Sequence, residues 1–260
     1  MNTKTAVITG ATSGIGAAYA RHFAKEGYNL VITGRRKEKI EAVAQELRAG
    51  FGVAVDVVLA ELSEEPGIQE VVNALSGRPV EVLINNAGFG VVNYYQLSEQ
   101  EPLLQMAKVN VVAPLMLINA VLPGMLTRKS GTIINVSSEG ALVVIPKNAV
   151  YSGAKAFLKT FTEGLSLDLY GTSVRAMTVC PGLTHTDFHE KIGMSRASQH
   201  NHGVIQWLEP EEVVALSIKD LNKGKVVSIP GFHTKLLVTL LKLMPKRLYY
   251  RAARDFGKSH

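Results

Sequence analysis

Tyr151 and Lys155 stand four residues apart in Tyr151-Ser152-Gly153-Ala154-Lys155, and Phe157, Leu158, Phe161 and Leu165 follow at helical spacing. That spacing sets a phenol and an ammonium on one helix face, one turn apart. A free tyrosine ionises near pH ~10, too high for easy proton exchange at neutrality, and a neighbouring ammonium favours the phenolate. A phenol tuned in this way could give a proton to a carbonyl oxygen as hydride reaches the carbon, or remove it in the reverse direction. Such pairs also occur on ordinary exposed helices, so the chemistry needs a second site beside them.

The stretch Thr9-Gly10-Ala11-Thr12-Ser13-Gly14-Ile15-Gly16 offers one, because it joins a short strand-like run to a helix. Glycines there let the backbone turn tightly and approach a pyrophosphate, whose charge meets free N–H groups at the positive helix end. A glycine-rich turn without that context would equally serve as a plain strand-to-helix connection. The next strand ends Val31-Ile32-Thr33-Gly34-Arg35-Arg36, with no acidic residue to hold ribose hydroxyls. Two guanidinium groups at that point suit a 2′-phosphate, so the expected cofactor is NADP(H) rather than NAD(H). The competing reading makes Arg35 and Arg36 solvated charges at a helix start.

These groups need a scaffold, and the rest of the sequence supplies one. β-branched runs at Ala6 to Thr9, Leu30 to Thr33, Val53 to Ala60, Val80 to Ile84, Thr132 to Val136, Val174 to Val179 and Val226 to Ile229 alternate with helical periodicity. This is the form of repeated βαβ units closing a doubly wound, seven-stranded parallel sheet with helices on both faces. Ile15, Ala18, Tyr19 and Phe23 form one helix face ending at Gly27; Ile40, Val43, Ala44 and Leu47 form another ending at Gly50. Ser63, before two glutamates and Pro66, is the expected N-cap of a third helix bearing Ile68, Val71, Val72 and Leu75. Residues 183 to 208 are polar and aperiodic, and loops of this length are usually functional lids or disordered.

The chain of 260 residues is 47% hydrophobic, enough for a substantial core. The expected organisation is a catalytic α/β domain over residues 1–230 and a helical tail over 231–260. Of 28 Lys/Arg and 22 Asp/Glu, seven and one fall in the last thirty residues, leaving a neutral body and a basic tail. A neutral body argues against nucleic-acid binding. One cysteine, Cys180, excludes an intrachain disulfide, and neither a cleavable leader nor about 18 uninterrupted apolar residues is found. A cytoplasmic address is expected.

Asn85-Asn86-Ala87-Gly88 follows the fourth strand; Asn110, Ser137-Ser138, Tyr151 with Lys155, and Pro181-Gly182 with Thr186 come after it in order. In this order and spacing, with the glycine turn, the chain resembles the short-chain dehydrogenase/reductase family across residues 3 to about 230. The resemblance implies a Rossmann-like fold and a carbonyl reductase or alcohol dehydrogenase working as a homodimer or homotetramer. It implies that Tyr151 is the acid/base and that Lys155 holds the nicotinamide ribose and lowers the tyrosine pKa. Ser138 then holds the substrate oxygen, and Asn110 anchors a water leading to Lys155. It further implies that Asn86, Ala87 and Gly88 flank the adenosine side, Glu61 and Leu62 the adenine, and Pro181 to Thr186, with Gly182 and Thr184, the nicotinamide. Glu61 departs from the aspartate frequent there. Taken singly, Asn110 and Ser138 could each be local hydrogen-bonding devices.

His185, His189, His200 and His202 suggest zinc, but no cysteine or carboxylate set completes a ligand shell, so no metal is expected. Cys180 is expected in the core. The tail departs from the family pattern: Lys235, Lys242 and Lys246 are expected along one helix side, opposite Leu237, Leu240, Leu241 and Met244, before a kink at Pro245. Packing on the body or a partner subunit is preferred over lying on an anionic membrane. Phe89, Val91, Val92, Tyr94, Leu142, Val143, Val144, Ile145 and Trp207 are expected to face a lipophilic ketone or ketoacyl substrate. A catalytically silent NADP(H) sensor or membrane-surface scaffold is the rival reading, and a full Asn110, Ser138, Tyr151, Lys155 set argues against it.

Overall fold

The computed structural model describes residues 4–192, 195, 197, 199–201, 203 and 206–259. The strands form from apolar runs that are buried on both faces in the middle of the sheet and partly exposed in Val55–Leu59 at its edge. They are β1 (Thr5–Ile8), β2 (Asn29–Gly34), β3 (Val55–Leu59), β4 (Val80–Asn85), β5 (Gly131–Val136), β6 (Val174–Val179) and the two-residue β7 (Val227–Ser228). They pair in parallel in the order β3-β2-β1-β4-β5-β6-β7. The winding reverses between β1 and β4, where open α/β sheets leave a crevice at the carboxyl ends of their strands.

The helices are α1 (Gly14–Lys25), α2 (Lys37–Phe51), α3 (Glu65–Leu75), α4 (Gln100–Ala107), α5 (Ala113–Arg128), α6 (Ala149–Asp168), α7 (Asp187–Lys191), α8 (Pro210–Asn222), α9 (Phe232–Leu243) and α10 (Lys246–Ser259). Alternate strand residues serve opposite cores. Ala6, Ile8, Ile32 and Ile84 pack with Tyr19 and Phe23 of α1, Ile40 and Leu47 of α2, and Val213 of α8. Val7, Val31, Leu83 and Ile133 pack with Ile68 of α3, Leu117 and Met125 of α5, and Leu165 of α6. The helical run Gln100–Arg128 is 29 residues long and, by length and composition only, could cross a membrane. Its Leu117, Ile118, Val121 and Met125 instead face the sheet within the second core.

Two helix ends differ from expectation. α2 continues through Gly50 and stops at Gly52, which takes the left-handed conformation and sends its N–H to the Arg48 carbonyl. Gly50 meets nothing that would require a glycine, so helix propensity carries the chain one residue beyond it. The N-cap of α3 is Glu64 rather than Ser63, whose N–H and hydroxyl both donate to the Glu61 carboxylate. Within 183–208, a bridge pairs Thr184 with Leu208, and α7 forms between them.

The tail is two helices parted at Pro245. α9 buries Thr234 and Val238 against the body, with Leu237 and Leu241 half-buried, while Phe232, Leu236, Leu240 and Leu243 are exposed. The expected single apolar side is thereby corrected: α9 is apolar on two faces, and Leu240 lies on the outer one. In α10, the Tyr249 phenol hydrogen-bonds the Val144 backbone, fastening the tail to the loop after β5.

Candidate active site

At the β1/β4 switch the glycine turn closes on the end of β4. Gly10 has φ +67, and a Cβ there would lie 2.8 Å from Ala87 Cα; a Cβ on Gly14, φ +57, would lie 2.7 Å from Thr186 Cγ2. Both the conformation and the close approach demand glycine. Asn86 positions this junction, donating from Nδ2 to the carbonyls of Thr9 (2.9 Å) and Gly10 (3.1 Å). The Thr9 hydroxyl accepts from the N–H groups of Asn86 and Ala87. Gly16 lies behind the turn, against the Gly10 carbonyl, and like Thr9 and Ala11 is outside the cleft lining.

The cleft encloses about 270 Å³. Its lining includes Gly10, Thr12, Ser13, Gly14, Ile15, Arg35, Arg36, Glu61, Leu62, Asn86, Ala87, Gly88, Ser138, Tyr151, Lys155, Pro181, Gly182, Thr184 and Thr186. Arg36 donates to Thr12 Oγ1 (2.9 Å), Ser13 Oγ (3.3 Å) and Asp187 Oδ2 (3.2 Å), so one guanidinium links the turn to α7. Arg35 donates to Glu61 Oε2 at 3.0 Å. Burial raises the Glu61 pKa, but the bonds from Arg35 and Ser63 outweigh it and hold the carboxyl below its usual range.

The opposite end is organised by α6. A buried chain runs from Asn85 Nδ2 to Asn135 Oδ1 (2.9 Å), from Asn135 Nδ2 to Thr162 Oγ1 (2.8 Å), and from Thr162 to the Leu158 carbonyl (2.6 Å). It crosses β4 and β5 into α6. Ser137 adds a bond from its hydroxyl to the Lys155 carbonyl (2.8 Å), and Lys155 Nζ donates to the Val136 carbonyl (3.0 Å). The helix bearing Tyr151 and Lys155 is thus locked to the strand end that presents Ser138.

Asn110 is fully buried outside the cleft lining, in a π-helical turn, Lys108–Val112, between α4 and α5. Its amide donates to the Met106 (2.9 Å) and Phe89 (3.1 Å) carbonyls, while its Oδ1 meets no donor within the described chain. A Cβ on Gly88 would lie 2.6 Å from Asn110 Oδ1 and 3.1 Å from Lys155 Nζ, so both groups face the same space above Gly88. The extra residue of a π turn rotates this side chain inward, a device frequent at functional sites.

The expected depression of the Tyr151 pKa by Lys155 is not what the cleft produces. Burial pushes the phenol up to about 12, against the pull of its hydrogen bond with Ser138. Lys155 Nζ lies 5.9 Å from the phenol ring centroid and is itself pushed down to about 8 by burial. Loss of water dominates both groups.

Of the expected substrate-facing residues, Phe89 lines the cleft. Trp207 does not: it is buried, 5.2 Å from the ring of His185 and 4.8 Å from that of His189. His185 and His189 are its packing partners. His202 lies outside the described residues. Val91, Val92, Tyr94, Leu142, Val143, Val144 and Ile145 are outside the lining as well. Phe188 of α7, with its ring 5.6 Å from Tyr151, and Glu139, next to Ser138, were missed. The aperiodic lid gave no signal for Phe188, although adjacency to Ser138 could have flagged Glu139. Cys180 is a buried free thiol, as expected.

A sequence profile described as short chain dehydrogenase matches residues 4–197. The chain is 38% identical over 193 residues to a serine 3-dehydrogenase of Rhizobium radiobacter, covering 71% of this chain and 73% of that one. It is 30% identical over 228 residues to an oxidoreductase of Staphylococcus saprophyticus, covering 87% and 94%. A solved short-chain dehydrogenase of Sphingobium yanoikuyae in complex with NADPH superposes with a TM-score of 0.83 at 28% identity, covering 98% of this chain and 95% of that one.

Proposed function

The chain belongs to the short-chain dehydrogenase/reductase family and is an oxidoreductase of that family, and on that premise we propose that it reduces a carbonyl, or oxidises the matching secondary alcohol, with NADP(H). The observation that carries this reading is the convergence of Ser138, Tyr151, Lys155 and the Asn110 oxygen beside a glycine turn capped by two arginines. A silent sensor or scaffold would not need that set.

The residues present fit the cofactor. Gly10, Gly14 and Gly16 leave room where a side chain would clash, and Arg35 and Arg36 with Thr12 and Ser13 supply donors for a 2′-phosphate. Ile15, Glu61, Leu62 and Asn86 to Gly88 would border the adenosine half, and Pro181, Gly182, Thr184 and Thr186 the nicotinamide half. NADP(H) supplies or accepts the hydride. Ser138 holds the substrate oxygen, and Tyr151 delivers its phenolic proton to that oxygen as the C–H bond forms; reversal returns it. With its pKa near 12, the phenol is protonated at neutrality and ready to act as the acid. Lys155 would hold the ribose, and the unpaired Asn110 oxygen would steer a water that reloads the proton.

The substrate we infer has a substantial apolar body, because Phe89, Val109, Phe188 and Ile192 are among the residues lining the cleft. Residues 1–230 form the catalytic body in this reading and residues 231–260 a tail packed on it. A cytoplasmic homodimer or homotetramer is part of the same reading. The test is a panel of ketones and secondary alcohols followed at the nicotinamide absorbance with both cofactors. NADPH-linked turnover of at least one class is expected; NADH-only turnover, or none, would overturn the reading.

A further inference from the structure

Glu139 is a carboxyl group that the chemistry above leaves unused. It directly follows Ser138 and begins a 3-10 turn, Glu139–Ala141, packed against α6. Its N–H donates to the Pro181 carbonyl at 2.8 Å, which ties it to the segment after β6. Its side chain lines the same cleft as Tyr151, and its Oε2 lies 3.1 Å from where a Cβ on Gly182 would stand. Thr234 of α9 closes the space behind, with its Oγ1 2.6 Å from that same point. Gly182 therefore leaves the carboxylate room that any side chain would take.

No lysine, arginine or histidine pairs with this carboxylate, and no hydrogen bond reaches it among the described residues. Burial, the one influence acting on it, pushes its pKa up to about 7, and its charge acts on the Tyr151 phenol. Elsewhere in this cleft carboxylates are paired: Glu61 with Arg35, and Asp187 with Arg36 and Lys39. A half-buried carboxylate without a partner is costly unless a cation or strong donor meets it.

We propose that Glu139 is a specificity-determining residue that receives an ammonium group on the carbon next to the reacting carbinol, making vicinal amino alcohols and α-amino ketones the favoured substrates. The inference rests on the oxidoreductase reading above. Ser138 and Tyr151 hold the oxygen, so the neighbouring substituent falls beside residue 139, while the apolar body extends toward Phe89 and Phe188. A charge-assisted contact of this kind, partly open to solvent, is worth about tenfold in kcat/KM.

The test uses the full chain with NADP⁺ and two alcohols of equal size, 1-amino-2-propanol and 2-butanol. The wild type should favour the amino alcohol by about tenfold in kcat/KM, and Glu139→Gln should bring the ratio close to one. A ratio near one in the wild type, or one that survives Glu139→Gln, would overturn the proposal. So would a loss of NADPH affinity in Glu139→Gln as large as the loss of preference, because the carboxylate would then face the cofactor. Should that variant not fold, competitive inhibition of 2-butanol turnover by ethylammonium, absent with ethanol, reads the same contact in the wild type; equal behaviour of the two overturns it. Calorimetric titration of 1-amino-2-propanol into the NADP⁺ complex separates the two readings. Equal turnover of both alcohols would overturn the amine site and keep the oxidoreductase reading; binding of 1-amino-2-propanol with no turnover of any alcohol or ketone would overturn that reading, and the amino-alcohol preference with it.

Discussion

Lys155 and Phe188 border the same cleft from supports of different kinds. Lys155 stands on a helix of twenty residues bound to the sheet by Ser137, Asn135 and Thr162, all buried. Phe188 stands on a five-residue helix whose attachments are the half-exposed Asp187 pairs with Arg36 and Lys39 and the rings around Trp207. Buried hydrogen bonds hold position because breaking one strands a polar group in a dry interior; half-exposed ion pairs contribute little and can exchange with water. The floor of the cleft is therefore built for precision, and the roof for replaceable contacts.

Substitutions should separate the two. Tyr151→Phe should lower kcat by about a thousandfold while the Kd for NADPH, read by cofactor fluorescence, stays within about twofold; retained turnover would remove the acid from the floor. Replacing Arg35 and Arg36 with alanine should weaken NADPH by about tenfold to a hundredfold per arginine, with NADH much less affected in the same titration. Equal losses would mean the arginines act through the fold instead. Asn135→Ala should cost about 2 to 3 kcal/mol in denaturant unfolding, since it strips the buried Asn85 amide of its acceptor and the Thr162 oxygen of its donor. Phe188→Ala should leave that unfolding free energy within about 0.5 kcal/mol and lower kcat/KM by about threefold to tenfold. If Phe188→Ala destabilised the protein as much as Asn135→Ala, the contrast between floor and roof would collapse.

The floor was legible because its requirements are local. Tyr151 and Lys155 share a helix face by spacing alone, Gly10 and Gly14 announce a turn that no other residue could make, and the apolar runs of β1 to β6 have no other stable home than a covered parallel sheet. Arg35 and Arg36 stand out by the absence of an acid at the end of β2. The misreadings arose where partners come from afar. Trp207 reads as a substrate contact until His185 and His189 are seen to enclose it, and the faces of α9 depend on where the body lies. Ser63 has a cap's identity but gives its hydroxyl to Glu61.

Backbone periodicity, turn chemistry and the order of the polar motifs determined the parallel sheet, the glycine turn and the pairing of Tyr151 with Lys155 on one helix face, since each is set within a few neighbouring residues. Tertiary structure alone decided three things. It turned the Asn110 oxygen toward Lys155 through a π turn, it set Phe188 over Tyr151, and it left Glu139 without a partner beside the reacting centre. Each of these depends on segments far apart in sequence meeting across the crevice, and burial, which sets their energies and their pKa values, exists only once those segments have met.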